Sequence, residues 1–134
     1  MSGNAEASEP TGSASFLLDT NVLIDVLKGE PQALAWLEAE GTGAAISVIT
    51  WMEILVGCHE QELEAVTDWL NGFTRLELTQ PVASKAVELR RTLGIKIPDA
   101  IILATARCHQ RQLVSRNTRD FPVTLGDVVV PYQL

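Results

Sequence analysis

The sequence predicts an α/β fold in which a parallel sheet lies between helices. Two patterns carry that prediction. Short apolar runs alternate with longer segments of helical spacing along the chain. The runs are apolar at successive positions rather than at every second one, as strands must be when helices cover both of their faces.

The elements follow in order. "SFLLD" is a short apolar run ending in an acid and reads as the first strand. "TNVLIDVLKG" has helical spacing and a glycine stop at Gly29. "EPQALAWLEAEG" places Pro31 at a helix start and Gly41 at its end. "AAISVIT" is the second strand, and "WMEILVGC" a helix capped by Ser47 or Thr50. "QELEAVTDWLNG" is a helix closed by Gly72, and "TRLELT" alternates as a strand does. "QPVASKAVELRRTLG" and "PDAIILATARCHQR" are two further helices, followed by the strand "QLVS", the loop "RNTRDFP" and a last strand in "DVVVP". In such folds ligands bind beyond the carboxyl ends of the strands.

The chain has 134 residues, 46% of them hydrophobic, which suits one domain with a sizeable core. No apolar run reaches the roughly 18 residues needed to cross a bilayer, so no membrane association is expected. "MSGNAEASEPTGSA" is small, polar and acidic, without the basic start and apolar stretch of a signal peptide. Residues 1–14 are expected to be a flexible leader and residues 15–134 the single folded domain. Two cysteines and no export signal point to a reducing cytoplasm. The net charge of −7 argues against a nucleic-acid partner, yet it is unevenly spread. Residues 1–84 carry 2 basic and 13 acidic residues, and residues 85–134 carry 8 and 4. An acidic protein can therefore present a local anion-binding face.

The acids are informative by position. Asp19 directly follows the first strand, and Glu53 lies in the helix after the second. Asp99 opens the apolar helix "IPDAIILATAR", and Asp120 follows "QLVS" in "SRNTRDF". Each alone has an ordinary structural use. Asp19 can cap a helix, Asp99 can sit on a helix dipole, and Asp120 can belong to a turn. Glu53 has no basic partner at i+4. Together the four can meet at one edge of the sheet. Clustered carboxylates raise one another's pKa, so keeping them ionised requires a cation. An all-oxygen set suits Mg²⁺ or Mn²⁺, which bind phosphate oxygens and support hydrolysis of a phosphodiester. Thr20, Asn21, Ser115 and Asn117 are neutral neighbours able to orient ligands or water.

"FLLDTNVLIDVL", "SVITWMEILVG", "IPDAIILATA" and "SRNTRDF" resemble, in order and spacing, the motifs of PIN-domain proteins, and are most similar to the VapC-type ribonuclease toxins of type II toxin–antitoxin pairs. The resemblance spans about residues 15–134. It implies a three-layer α/β/α sandwich with a central parallel sheet. It places the family's acidic quartet, catalytic and metal-binding, on Asp19, Glu53, Asp99 and Asp120. The family's small polar positions fall on Asn21, Ser115 and Asn117. It further implies cleavage of single-stranded RNA with Mg²⁺ or Mn²⁺, a homodimer, and inhibition by a cognate VapB-type antitoxin that lays a helix in an apolar groove and sends an arginine into the acidic site. The leader departs from the family, whose members usually begin close to the first strand.

Other signals are weaker. Arg116 and Arg119 flank the fourth motif and are candidate RNA phosphate contacts, whereas Arg107 and Arg111 are expected to be solvated. Val22, Leu23, Val26 and Leu27, with the helix over residues 31–40, are the candidate groove. Trp36, Trp51 and Trp69 sit among apolar neighbours and are expected to pack in the core or at a subunit interface. Cys58-His59 and Cys108-His109 lack zinc-site spacing, since adjacent helical residues diverge by about 100°. There is no phosphate-binding glycine loop and no G-x-S-x-G elbow. A haloacid-type phosphatase needs D-x-D after the first strand, where this chain has "DTN". A PIN fold that binds RNA or protein without cutting is the main alternative.

Overall fold

The first apolar run forms strand β1 (Phe16–Leu18), which takes the centre of a five-stranded sheet. The computed structural model describes residues 15–134, and the leader assigned to residues 1–14 lies outside the described residues. The remaining strands are β2 (Ala45–Ser47), β3 (Thr74–Leu76), β4 (Gln112–Val114) and β5 (Val128–Val129), in the spatial order β3-β2-β1-β4-β5. Every pairing is parallel. Leu17 pairs with Ala45 on one side and Leu113 on the other, which fixes the register of the central three strands. The helices are α1 (Thr20–Leu27), α2 (Pro31–Glu40), α3 (Val48–Val56), α4 (Leu63–Leu70), α5 (Gln80–Leu93) and α6 (Ile97–Cys108).

The apolar strands separate two cores. Leu17, Ala45 and Leu113 face α5 and α6, packing with Val82, Leu89, Ile102, Leu103 and Phe121. Phe16, Leu18, Ile46 and Val114 face the opposite way and pack with Val22, Leu23, Ile54 and Leu70. This is the predicted three-layer arrangement, and it explains why the strands read as unbroken apolar runs. Helix α6 is buried from Ala100 to Ala106, because it lies between α5 and the sheet. The three tryptophans pack against the second core, with the Trp36 ring tilted at 53° to Phe16 (centroids 5.4 Å apart) and Trp51 lying under the Arg75 guanidinium at 4.8 Å.

Local chemistry moved several boundaries. "AAISVIT" yields only three strand residues, because the Ser47 hydroxyl accepts from Ile49 N at 3.0 Å and starts α3 at Val48. Three β-branched residues, Val48, Ile49 and Thr50, thereby enter a helix against their propensity. The segment before α4 opens with a 3₁₀ turn at Glu60–Glu62, and another turn, Val123–Leu125, precedes β5. Gly94 ends α5 at φ 74°, a left-handed conformation that glycine adopts freely, while Arg90 Nη1 donates to the Gly94 and Ile95 carbonyls. Arg107 and Arg111 are clips rather than solvated side chains. Arg107 makes two bonds to Asp127 just before β5, and Arg111 donates to the Phe16 and Gly43 carbonyls. Both cysteines are free, and no described helix is long and apolar enough to cross a membrane.

Candidate active site

Asp19 lies where β1 ends and α1 begins. Its backbone N–H donates to Val114 O at 2.9 Å, which seats it at the carboxyl edge between β1 and β4. Its side chain is the N-cap of α1, with Oδ1 accepting from Thr20 N at 2.8 Å. Oδ2 accepts from Ser115 Oγ at 2.6 Å and Asn21 Nδ2 at 3.3 Å. Ser115 follows β4, and its hydroxyl also accepts from Asn117 N at 2.9 Å. Asn117 in turn donates to Asp120 Oδ2 at 3.1 Å and accepts from Asp120 N at 3.2 Å. On the other side, Thr20 Oγ1 donates to Glu53 Oε1 at 2.6 Å and lies 3.0 Å from Thr50 Oγ1. Asp99 enters from the first turn of α6.

These acids lie within reach of one another's charge. Burial pushes the Asp19 carboxyl up from its ordinary range, and the charges of Glu53 and Asp120 add to the rise. The hydrogen bonds from Ser115 and Thr20 act in the opposite direction. Asp99 is raised to about 6, first by burial and then by Asp19, Asp120 and Glu53, with Lys96 opposing. Four carboxylates from distant segments therefore feel one another's charge. Asp19, Glu53 and Asp99 line an open cleft of about 620 Å³ together with Thr20, Asn21 and Asn117. Ile24, Met52 and Val56 form its apolar wall.

A divalent cation would relieve this repulsion. Among the described residues, no three His, Cys, Asp or Glu side chains stand close enough to grip one ion directly. That spacing still accommodates Mg²⁺, which keeps several waters and needs only one or two carboxylates. The donor set fits a hard cation, because every polar group offered is oxygen or amide.

A model of the PIN domain matches residues 16–124. The chain belongs to the PIN-domain family. It is 33% identical over 124 residues to "Ribonuclease VapC19" of Mycobacterium tuberculosis, covering 87% of this chain and 98% of that protein. It is 32% identical over 115 residues to "Ribonuclease VapC10" of the same organism, covering 81% and 86%. Among solved structures, one chain of a toxin–antitoxin complex from Klebsiella pneumoniae superposes with a TM-score of 0.81 and 44% identity, over 88% of this chain and 98% of that one. A chain of FitAcB from Neisseria gonorrhoeae gives 0.74 and 26%, over 89% and 99%.

This PIN domain brings Asp19, Glu53 and Asp99 to the cleft and holds Asp120 at its margin through Asn117. Thr20, Asn21, Ser115 and Asn117 all contact one of the acids. Arg116 has another occupation. Its Nε and Nη2 bond both oxygens of Asp25, at 2.5 and 3.0 Å, so the expected phosphate contact is already engaged within the fold. Arg119 stays exposed beside Asp120. The groove also differs from expectation. Val22 and Leu23 are fully buried, Val26 is half-buried, and the exposed apolar side chains of α1 are Ile24 and Leu27. They line a cavity of about 290 Å³ with Ile54, Cys58 and Val66, toward α3 and α4 rather than α2.

Sequence reasoning missed Asp25 and Tyr132. Asp25 is 4% exposed, and the Tyr132 hydroxyl donates to its Oδ2 at 2.8 Å. Burial pushes this carboxyl up, but the bonds from Arg116 and Tyr132 and the Arg116 charge outweigh it and hold the pKa below the usual range. The signal was present in the spacing. Asp25 stands three residues after the buried Val22, on the core side of α1, where an acid requires a partner.

Proposed function

We propose that this PIN domain is an Mg²⁺- or Mn²⁺-dependent endoribonuclease toxin, acting on RNA in the cytoplasm and restrained by a VapB-type antitoxin. The observation that carries this is that Asp19, Glu53 and Asp99, from separate chain segments, line one solvent-open cleft, with Asp120 held at its margin by Asn117. The ribonuclease names of its relatives support the chemistry, and the toxin–antitoxin complex supports the partner.

Asp19, Glu53, Asp99 and Asp120 would hold the ion, directly or through water. Such an ion supplies charge neutralisation at a phosphate and acidifies water in its shell. The protein's own contribution is preorganisation. Thr20, Asn21 and Ser115 fix both oxygens of Asp19, so its geometry is set before substrate arrives. Thr20 also aims Glu53, and Asn117 aims Asp120. Asp99 lines the same cleft, and one carboxylate of this set would act as general base toward the attacking water. The antitoxin would take the groove lined by Ile24, Leu27, Ile54 and Val66, which adjoins the cleft through Ile24 and Glu53.

Asp19→Asn and Asp99→Asn, assayed on single-stranded RNA with Mg²⁺, should each lose about 10² to 10⁴-fold in rate. Unchanged cleavage in both overturns the assignment. The wide spacing of the acids supports one competing reading, a PIN module that binds without cutting. Calorimetric titration with Mn²⁺ separates the two, since the absence of saturable binding favours the non-catalytic module. Light scattering should return twice the chain mass if the protein is a homodimer.

A further inference from the structure

The C-terminal segment after β5 does not enter the cleft, yet it is wired to it. Tyr132 Oη donates to Asp25 Oδ2, the same oxygen that accepts from Arg116 Nε. Arg116 stands between Ser115, which holds Asp19, and Asn117, which holds Asp120. The Arg116 N–H donates to Asn21 Oδ1 at 3.3 Å, and Asn21 Nδ2 donates to both Asp19 and Ser115. One continuous set of bonds thus runs from the C-terminal segment through α1 to both sides of the acid site.

We propose that Asp25 and Tyr132 are positioning residues for the carboxylate site: they clamp Arg116 and so hold the loop of Ser115, Asn117 and Asp120 against Asp19. This rests on the cleft being the catalytic site. The geometry favours a clamp over a free arginine. A bidentate guanidinium–carboxylate pair fixes direction as well as distance, and the acceptor is buried. The Tyr132 hydroxyl supplies one of the three side-chain hydrogen bonds this carboxylate accepts and ties a segment more than 100 residues away in sequence to α1. Asp25 does not line the cleft, and its side chain bonds Arg116 and Tyr132 rather than any of the four acids, so its effect on chemistry is indirect.

The test uses the full chain with Tyr132→Phe, which removes one hydrogen bond, and Asp25→Asn, which removes the charge but keeps the shape. Three readouts are taken below the melting temperature. The kcat for single-stranded RNA should fall about tenfold while KM stays within about twofold, in keeping with the usual cost of losing an outer support of a metal site. The Kd for Mn²⁺ by calorimetry should rise severalfold. Amide hydrogen exchange at Ser115, Asn117 and Asp120 in metal-free protein should quicken severalfold, with β1 and α6 unchanged. If Asp25→Asn does not fold, Tyr132→Phe decides alone. A rise in KM with kcat and the three amides unchanged overturns the clamp, and would mean that Arg116 meets RNA directly. If wild-type protein neither cuts RNA nor binds Mn²⁺, the proposed function fails, and the exchange rates still decide whether the loop is held from Asp25 and Tyr132.

Discussion

Replacing Asp99 by Asn should make the metal-free protein more stable while destroying its activity. The folded carboxyl has its pKa raised from 3.8 to about 6. A group raised on folding binds its proton more tightly in the native state. Its contribution is fully present below about pH 4 and is lost as pH rises through about 6. A shift of about two pKa units corresponds to about 3 kcal/mol. Asp99 is only partly buried, and solvent screening reduces this to about 1 kcal/mol. Asparagine resembles the protonated acid in shape and charge, so the variant escapes the cost of ionisation. For a domain of this size the gain is about 3 to 5 °C in Tm at pH 8. Differential scanning calorimetry in EDTA at pH 4 and pH 8 provides the assay. The gain should appear at pH 8 and close at pH 4. Added Mg²⁺ should raise the wild type more than the variant, because only the wild type retains the full acidic set. A variant less stable than wild type at pH 8, or a gain equal at both pH values, refutes the electrostatic reasoning.

Ser115→Ala removes a donor that holds the Asp19 pKa down against burial, so the acidic limb of the cleavage profile should move to higher pH. An unmoved limb in rate-against-pH measurements counts against that role. Leu17→Ala empties the centre of the sheet, where the side chain is fully buried, and should cost about 3 to 4 kcal/mol in urea unfolding. Gly41→Ala should also destabilise, by about 1 to 2 kcal/mol in the same measurement, since an added Cβ would stand 2.6 Å from Leu37 O and collide with the Leu37 side chain.

The central strands were legible because they are apolar on both faces, a pattern few other arrangements tolerate, whereas the exposed edge strand β3 showed only alternation. Gly94 and Pro81 marked the limits of α5 for local reasons that need no tertiary context. The end of β2 was less visible, because Val48 and Ile49 favour strand until the Ser47 cap turns the chain. Asp19, Glu53 and Asp120 could be read from their place after strands, Asp99 from its place at the start of an apolar helix, and Ser115 and Asn117 from their proximity to Asp120. What the sequence concealed was the destination of its arginines. Arg107, Arg111 and Arg116 look alike in a list of cations, yet each finds a partner 20 to 95 residues away. Such pairings depend on which loops the sheet brings together.

The central place of β1 has a consequence for how the protein is made. Asp19 leaves the ribosome well before β4, which closes its edge of the sheet, and before Ser115, which holds its carboxylate. A nascent chain stopped at residue 110 already carries Asp19, Glu53 and Asp99. It has no strand to seat the first of them and no hydroxyl to orient it. Synthesis proceeds at about 5 to 20 residues per second. The acidic cleft therefore stays incomplete until β4 and Ser115 have been made, however long Asp19, Glu53 and Asp99 have already been in the chain.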